Sequence, residues 1–254
     1  MRNLKAFAFA AAASALLAAS AQAQVQGTFH WAGVNGAWST YQNSAATKTW
    51  SVYTSPYRAQ FMIPGAPSAT LPPAGSSSFG PVVDIFCVDF NNEAITNHDY
   101  QTWFTNLGHD ALTDTRLGSV GLAQYYKAAF LASQIKTYGN ASVTTADING
   151  AIWQIMSGEP TSRWNGSSYD PTGITNWVTQ ANTWYTNGAQ GFDAGQWVVV
   201  TPTCAKGGAG NTTPDGCGQE FITQVTPEPA TLLLLGTGLL VTLVAAGVLR
   251  RPNA

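Results

Sequence analysis

The feature that most constrains this chain is its last apolar run, Ala230 to Leu249, twenty residues without a charge. A helix rises about 1.5 Å per residue, so such a run spans about 30 Å, the thickness of a bilayer's hydrocarbon core. The alternative is a buried core helix, but the run has no polar face for a soluble helix to turn toward water. Gly236, Gly238 and Gly247 weaken a soluble helix but are common in membrane spans. Arg250 and Arg251 follow directly and set the orientation, with the C-terminus on the cytoplasmic side and the bulk of the chain outside. This run is therefore set apart from the folded domain as a membrane helix.

The other end agrees. Arg2 and Lys5 precede an apolar stretch from Ala6 to Ala19, and Ala21-Gln22-Ala23 follows. That order is a secretory signal with a small-x-small cleavage site. The expected organisation is a signal peptide over 1–23, an exported domain over 24–225 and a C-terminal segment over 226–254.

Just before the apolar run stand Pro227, Glu228 and Pro229. The triplet, the span and the Arg250-Arg251 stop together resemble the PEP-CTERM sorting signal. The resemblance implies a Gram-negative bacterium with exopolysaccharide. It also implies processing by an exosortase, a membrane-embedded cysteine transpeptidase. The protein would pass through an inner-membrane intermediate to the cell surface or extracellular matrix, with exopolysaccharide a candidate partner. The local chemistry suits a cut. Both prolines fix their own φ and bias Thr226 and Glu228 toward extended backbone, the form a protease groove accepts.

Between the ends lie seven basic and thirteen acidic residues, counting Glu228, for a net charge near −6. That balance argues against nucleic acid as a partner. The roughly 200 residues suit one sizeable domain. Runs such as "GTFHWAGV", "AWSTYQ" and "TWSVYTSPYRAQFMI" are rich in Thr, Val, Trp and Tyr and predict strands. "PGAPSATLPPAGSSSFGP" reads as a loop, and Val82 to Phe90 as a central strand because it is apolar on both parities. Helices are predicted over 117–138, around "TTADINGAIWQIMSG", and over 174–185. Ile148, Ala151, Ile152, Ile155 and Met156 form an apolar stripe, with Thr144 or Thr145 as cap and Gly158 as terminator. "QWVVVT" and "QEFITQV" close the domain as strands. The fold class is α+β: a β-rich domain with a small helical subdomain.

Three cysteines would sit in an oxidising compartment. Cys204 and Cys217 flank a Gly-rich loop that a disulfide would restrain. Cys87 is then the odd thiol. "IFCVDF" followed by "INGAIW" resembles bacterial surface thioester domains, in which a strand Cys and a helix Gln two residues before Ala-Ile-Trp are joined. Here the matching residues are Phe86, Cys87 and Ala151-Ile152-Trp153, but the Gln position is Asn149, one methylene shorter. The pair Cys87 and Asn149 reads as a vestige of that chemistry.

No further catalytic pattern stands out. GxSxG and HExxH are absent, and His30, His98 and His109 have no metal-ligand spacing. No cofactor or metal is expected, although the polar run from Asp89 to Asp99 has oxygen ligands that a calcium ion could use. Nine tryptophans leave two uses open, core packing and stacking on sugar rings. The reading is a non-enzymatic surface or matrix protein. The alternatives are a polysaccharide-active enzyme delivered by the same tail and a covalent adhesin acting through Cys87.

Overall fold

The computed structural model describes residues 25–62, 79–90, 99–139, 142–203 and 218–225. The signal peptide, the Cys204–Cys217 pair, His98, the Pro227-Glu228-Pro229 triplet, the apolar run and Arg250-Arg251 lie outside the described residues. Among the described residues no helix is long and apolar enough to cross a membrane.

The strands are β1 (Val25–Val34), β2 (Trp38–Gln42), β3 (Thr49–Tyr53), β4 (Tyr57–Met62), β5 (Val83–Cys87), β6 (Asp99–Asn106), β7 (Ser162–Trp164), β8 (Tyr169–Asp170), β9 (Trp197–Pro202) and β10 (Phe221–Gln224). The helices are α1 (Leu122–Tyr138), α2 (Val143–Ser157) and α3 (Thr172–Thr186). Six strands close a barrel in the order β1-β4-β5-β10-β9-β6, and the other four form a second sheet, β3-β2-β7-β8. All ladder pairs are antiparallel.

Closure removes the sheet edges that would otherwise template aggregation. The barrel's inside is filled by rings. Phe29 lies 5.4 Å from Tyr100, 5.5 Å from Phe221 and 6.0 Å from Phe61, and Trp31 lies 4.9 Å from Tyr57. On the β5-β10-β9 side both faces are buried: Ile85, Phe86 and Cys87 are fully covered, and every residue of β9 is buried. The helices explain this. Tyr125 of α1 donates to Glu220 before β10, Lys136 donates to Gln224, and Trp153 of α2 donates to the Cys87 carbonyl. A strand covered on both sides loses its period-two signal, which is why 82–90 is apolar on both parities. Within a closed barrel, however, no strand is more central than another.

Strand directions give the barrel two distinct poles. β1 is antiparallel to β4, β4 to β5 and β5 to β10, so β10 runs back toward the pole where β1 begins. Val25 and Val225 therefore mark the same end of the barrel. The second sheet joins the opposite end. β2 follows β1 after Val34, and β3 returns to β4 at Tyr57, with Val34 and Tyr57 paired.

The run predicted as one strand region from Thr49 to Ile63 splits into β3 and β4, which belong to different sheets. The Thr54-Ser55-Pro56 link breaks it, where proline has no N–H for a ladder. The link is tight. Gly36 sits against it, and a methyl group there would overlap with the Thr54 carbonyl.

The middle helix is capped by Ser142 rather than Thr144 or Thr145. The Ser142 hydroxyl accepts from the Thr145 N–H at 3.0 Å, so the two threonines lie inside the first turn. Gly158 ends it in the left-handed region, φ 83°. The Ile148 stripe is buried as the periodicity predicts, with Ile155 half-buried, but burial extends to Asn149, Gly150 and Trp153. The first helix starts at Leu122, after a short 3-10 turn over Gly118–Val120. The three helices pack on one another, and their buried residues join the barrel's in one core.

Candidate functional site

Two places gather the residues that chemistry would use. The first is the mouth of the barrel beside α2. β5 carries Cys87 to this mouth, where its partner Phe221 faces the ring-filled interior. The Cys87 N–H donates to the Ser55 hydroxyl at 2.9 Å, and its thiol donates to the Asp89 carbonyl at 3.2 Å. Burial, and after it the nearby Asp89 carboxylate, push the thiol's pKa well up. A thiol so placed is held protonated, which is the opposite of a nucleophile's requirement.

Asn149 comes to the same place from α2. Its Oδ1 accepts from the Ser55 N–H at 2.9 Å, and its Nδ2 donates to the Thr145 carbonyl at 2.9 Å and to the Ser55 carbonyl at 3.4 Å. The sequence-predicted pair thus converges on one residue, Ser55, from two sides. Asn149 spends its amide on the β3–β4 link. That satisfies a buried backbone N–H which would otherwise cost a full desolvation penalty. The only signal for Ser55 in the sequence was its position before Pro56, between two strand-like runs.

Next to this junction lies a buried polar cluster that sequence reasoning missed. Arg116 donates to Asp89 Oδ2 at 2.6 Å, to the Gly218 carbonyl, and to the Pro202 carbonyl at 3.3 Å. Glu220 accepts from Tyr125 at 2.6 Å, from Thr201 at 2.6 Å and from the Arg116 N–H at 2.6 Å. Burial raises the Glu220 pKa against the opposing pull of those donors. Arg116 joins the two acids, its side chain holding Asp89 and its backbone N–H holding Glu220. Both are nearly fully covered and bonded to protein donors, so the arrangement stitches strand ends together and does not present an acid and a base to a substrate. Among the described residues no group of His, Cys, Asp and Glu is placed to hold a metal.

The second place is the outer face of the four-stranded sheet. Tyr41 of β2 points inward, fully buried, with its hydroxyl donating to the Ala146 carbonyl. Alternation then turns Trp38, Thr40 and Gln42 outward. On β3 the phase is opposite: Trp50 packs on Phe90 at 4.9 Å, and Thr49, Ser51 and Tyr53 face out. The register brings Trp38 beside Tyr53 and Thr40 beside Ser51. Gln42 pairs with Ser162, so Trp164, two residues on, shares that face and pairs with Tyr169. The rings meet edge to face, Trp38 with Tyr53 at 4.7 Å and Trp164 with Tyr169 at 5.3 Å. Trp38 is 58% exposed, Tyr53 48% and Trp164 42%. Sequence reading singled out the tryptophans but not their tyrosine partners. The signal was present in the opposite phases of "WSTYQ" and "TWSVY".

Among known sequence patterns, the PEP-CTERM protein-sorting motif is matched at residues 225–251. The motif marks an exported protein directed to exosortase and passing through the membrane to the surface. No curated protein and no solved structure matches the chain.

Proposed function

We propose that this chain is a non-enzymatic protein of the cell surface or exopolysaccharide matrix of a Gram-negative bacterium. In this reading it is held in the inner membrane by the 230–249 span and released when exosortase cuts at Pro227-Glu228-Pro229. The observation that carries the reading is the sorting motif at 225–251, which begins at the residue after the last strand, Phe221–Gln224, ends. Val225 is still bonded to the barrel, its N–H donating to the Gln196 carbonyl at 2.7 Å. The domain is thus the cargo, and the tail is the substrate of another protein's chemistry. The tying up of Asp89 and Glu220 by protein donors supports a non-catalytic domain over the polysaccharide-active enzyme.

Replacing Glu228 with Ala tests the sorting step. The expected result is uncleaved protein retained in the inner membrane, seen by fractionation and by the mass of the C-terminal peptide. Unchanged processing would reduce the triplet to a helix breaker.

The covalent alternative is addressed by intact mass. In the reading favoured here Cys87 and Asn149 are a vestigial pair with structural roles, because the Asn149 amide is engaged with Ser55 and the Cys87 thiol is buried and protonated. The mature chain is expected to keep the ammonia of Asn149. A mass lower by one ammonia, located to a Cys87–Asn149 crosslink, would make the chain a covalent adhesin.

A further inference from the structure

We propose that the outer face of the four-stranded sheet binds a neutral polysaccharide chain, with Tyr53, Trp38, Trp164 and Tyr169 as its stacking row. The inference deepens the matrix reading and rests on it. Large aromatics are mostly buried, and an exposed row of them marks a binding surface more often than chance. Here the exposure is organised. Register places both pairs on one face, and they span four strands. Tyr41 pairs with Arg163, so the same register sets Trp164 opposite Thr40, two residues along β2 from Trp38. At about 4.8 Å between strands and about 3.4 Å per residue the two pairs form a diagonal about 16 Å long, the reach of a short oligosaccharide.

The residues around the rings narrow the ligand. Thr40, Gln42, Thr49 and Ser51 share the outer face and reach solvent, and none of the side chains that register places there carries a charge. The two charged residues of these strands, Arg163 and Asp170, pair with each other on the opposite face, where Arg163 donates to Asp147 at 2.6 Å. The Thr40 and Ser51 hydroxyls bond each other at 3.0 Å and can re-aim toward an incoming partner. An apolar ring face bordered by hydroxyls and an amide matches a sugar, which has an apolar C–H face and a rim of hydroxyl groups. A charged polymer would find no counter-charge here. A nucleic acid would meet a domain of net negative charge.

Position supports the same occupant. The sorting motif leaves the barrel at the pole holding Val25 and Val225, and the Trp38–Tyr53 end of the sheet joins the opposite pole. The Trp38–Tyr53 pair is therefore joined to the pole opposite the one at which the chain enters the sorting motif.

Affinity electrophoresis of the full chain, solubilised in detergent, through native gels holding hydroxyethylcellulose, glucomannan or alginate tests this. Retardation is expected in a neutral gel and not in alginate. The double variant Trp38→Ala/Trp164→Ala should weaken it by roughly tenfold or more, as hot-spot aromatics do. Unchanged circular dichroism and melting would show that the variant is folded. Migration unaffected in both neutral gels, stronger retardation in alginate, or equal retardation of the double variant would overturn the proposal. So would a dimer in size-exclusion chromatography that the double variant abolishes, because the face would then belong to a second copy. Sorting is read separately. A double variant that is processed normally but not retained by polymer leaves the matrix reading standing with its binding face identified. Absent retardation with normal, Glu228-dependent processing sinks the face alone, and retardation without Glu228-dependent processing sinks the matrix reading alone.

Discussion

The barrel and the four-stranded sheet use the same residues to opposite ends. In the barrel, Phe29, Trp31, Tyr57, Tyr100 and Phe221 turn inward and fill the space that closure creates. In the second sheet, Trp38, Tyr53 and Trp164 turn outward into solvent while Tyr41 and Trp50 hold the inner face. Aromatic content is therefore silent about use. What decides is the phase of alternation relative to the core, and a one-residue slip would exchange the two sets.

That contrast can be broken or sharpened by substitution, with the largest effect in the barrel. Phe29→Ala removes a ring that touches four others, and a loss of about 3–5 kcal/mol in urea unfolding is expected. Asn149→Ala, at the junction between the two regions, leaves the buried Ser55 N–H without its acceptor. About 1–3 kcal/mol should be lost.

Glu220 gives a pH-dependent effect. Its pKa is raised in the folded state, so the folded chain holds that proton to higher pH than the unfolded chain. The stability from this group is complete below the unfolded pKa and falls as pH rises through the raised folded value. Urea midpoints measured across the weakly acidic range should decline more steeply with pH for the wild type than for Glu220→Gln. Equal slopes would mean that the Tyr125, Thr201 and Arg116 donors fully offset burial. The smallest stability effect is expected for Trp38→Ala on the outer sheet face, within about 1 kcal/mol, since only the edge-to-face contact with Tyr53 is lost. A loss as large as that of Phe29→Ala would show that the outer row is core in disguise.

Legibility in the sequence followed the range of the interactions. The α2 stripe, its Gly158 terminator and the strand-rich start were readable because helix and strand periods are local. The Ser142 cap was missed by two residues because Thr144 and Thr145 carry the same capping chemistry, and only backbone geometry separates them. The Cys87–Asn149 convergence was legible as a pair. Its use was not, since Ser55 enters from a different strand break. Arg116, Asp89 and Glu220 lie far apart in the chain and carry no mutual spacing signal.

The sequence by itself determined the outer frame: an uncharged apolar run of twenty residues, a Pro-Glu-Pro triplet before it, two arginines after it, and a strand-and-helix alphabet between the ends. These follow from composition and short spacing, and transfer free energy and backbone stereochemistry act on them directly. Tertiary structure decided which strands close on one another, which pole the chain leaves from, and which aromatics face water. Those depend on pairings such as β1 with β6 and β5 with β10. Their partners are distant in sequence, so the choice among registers is made by which closure buries the most rings and leaves the fewest backbone groups unpaired.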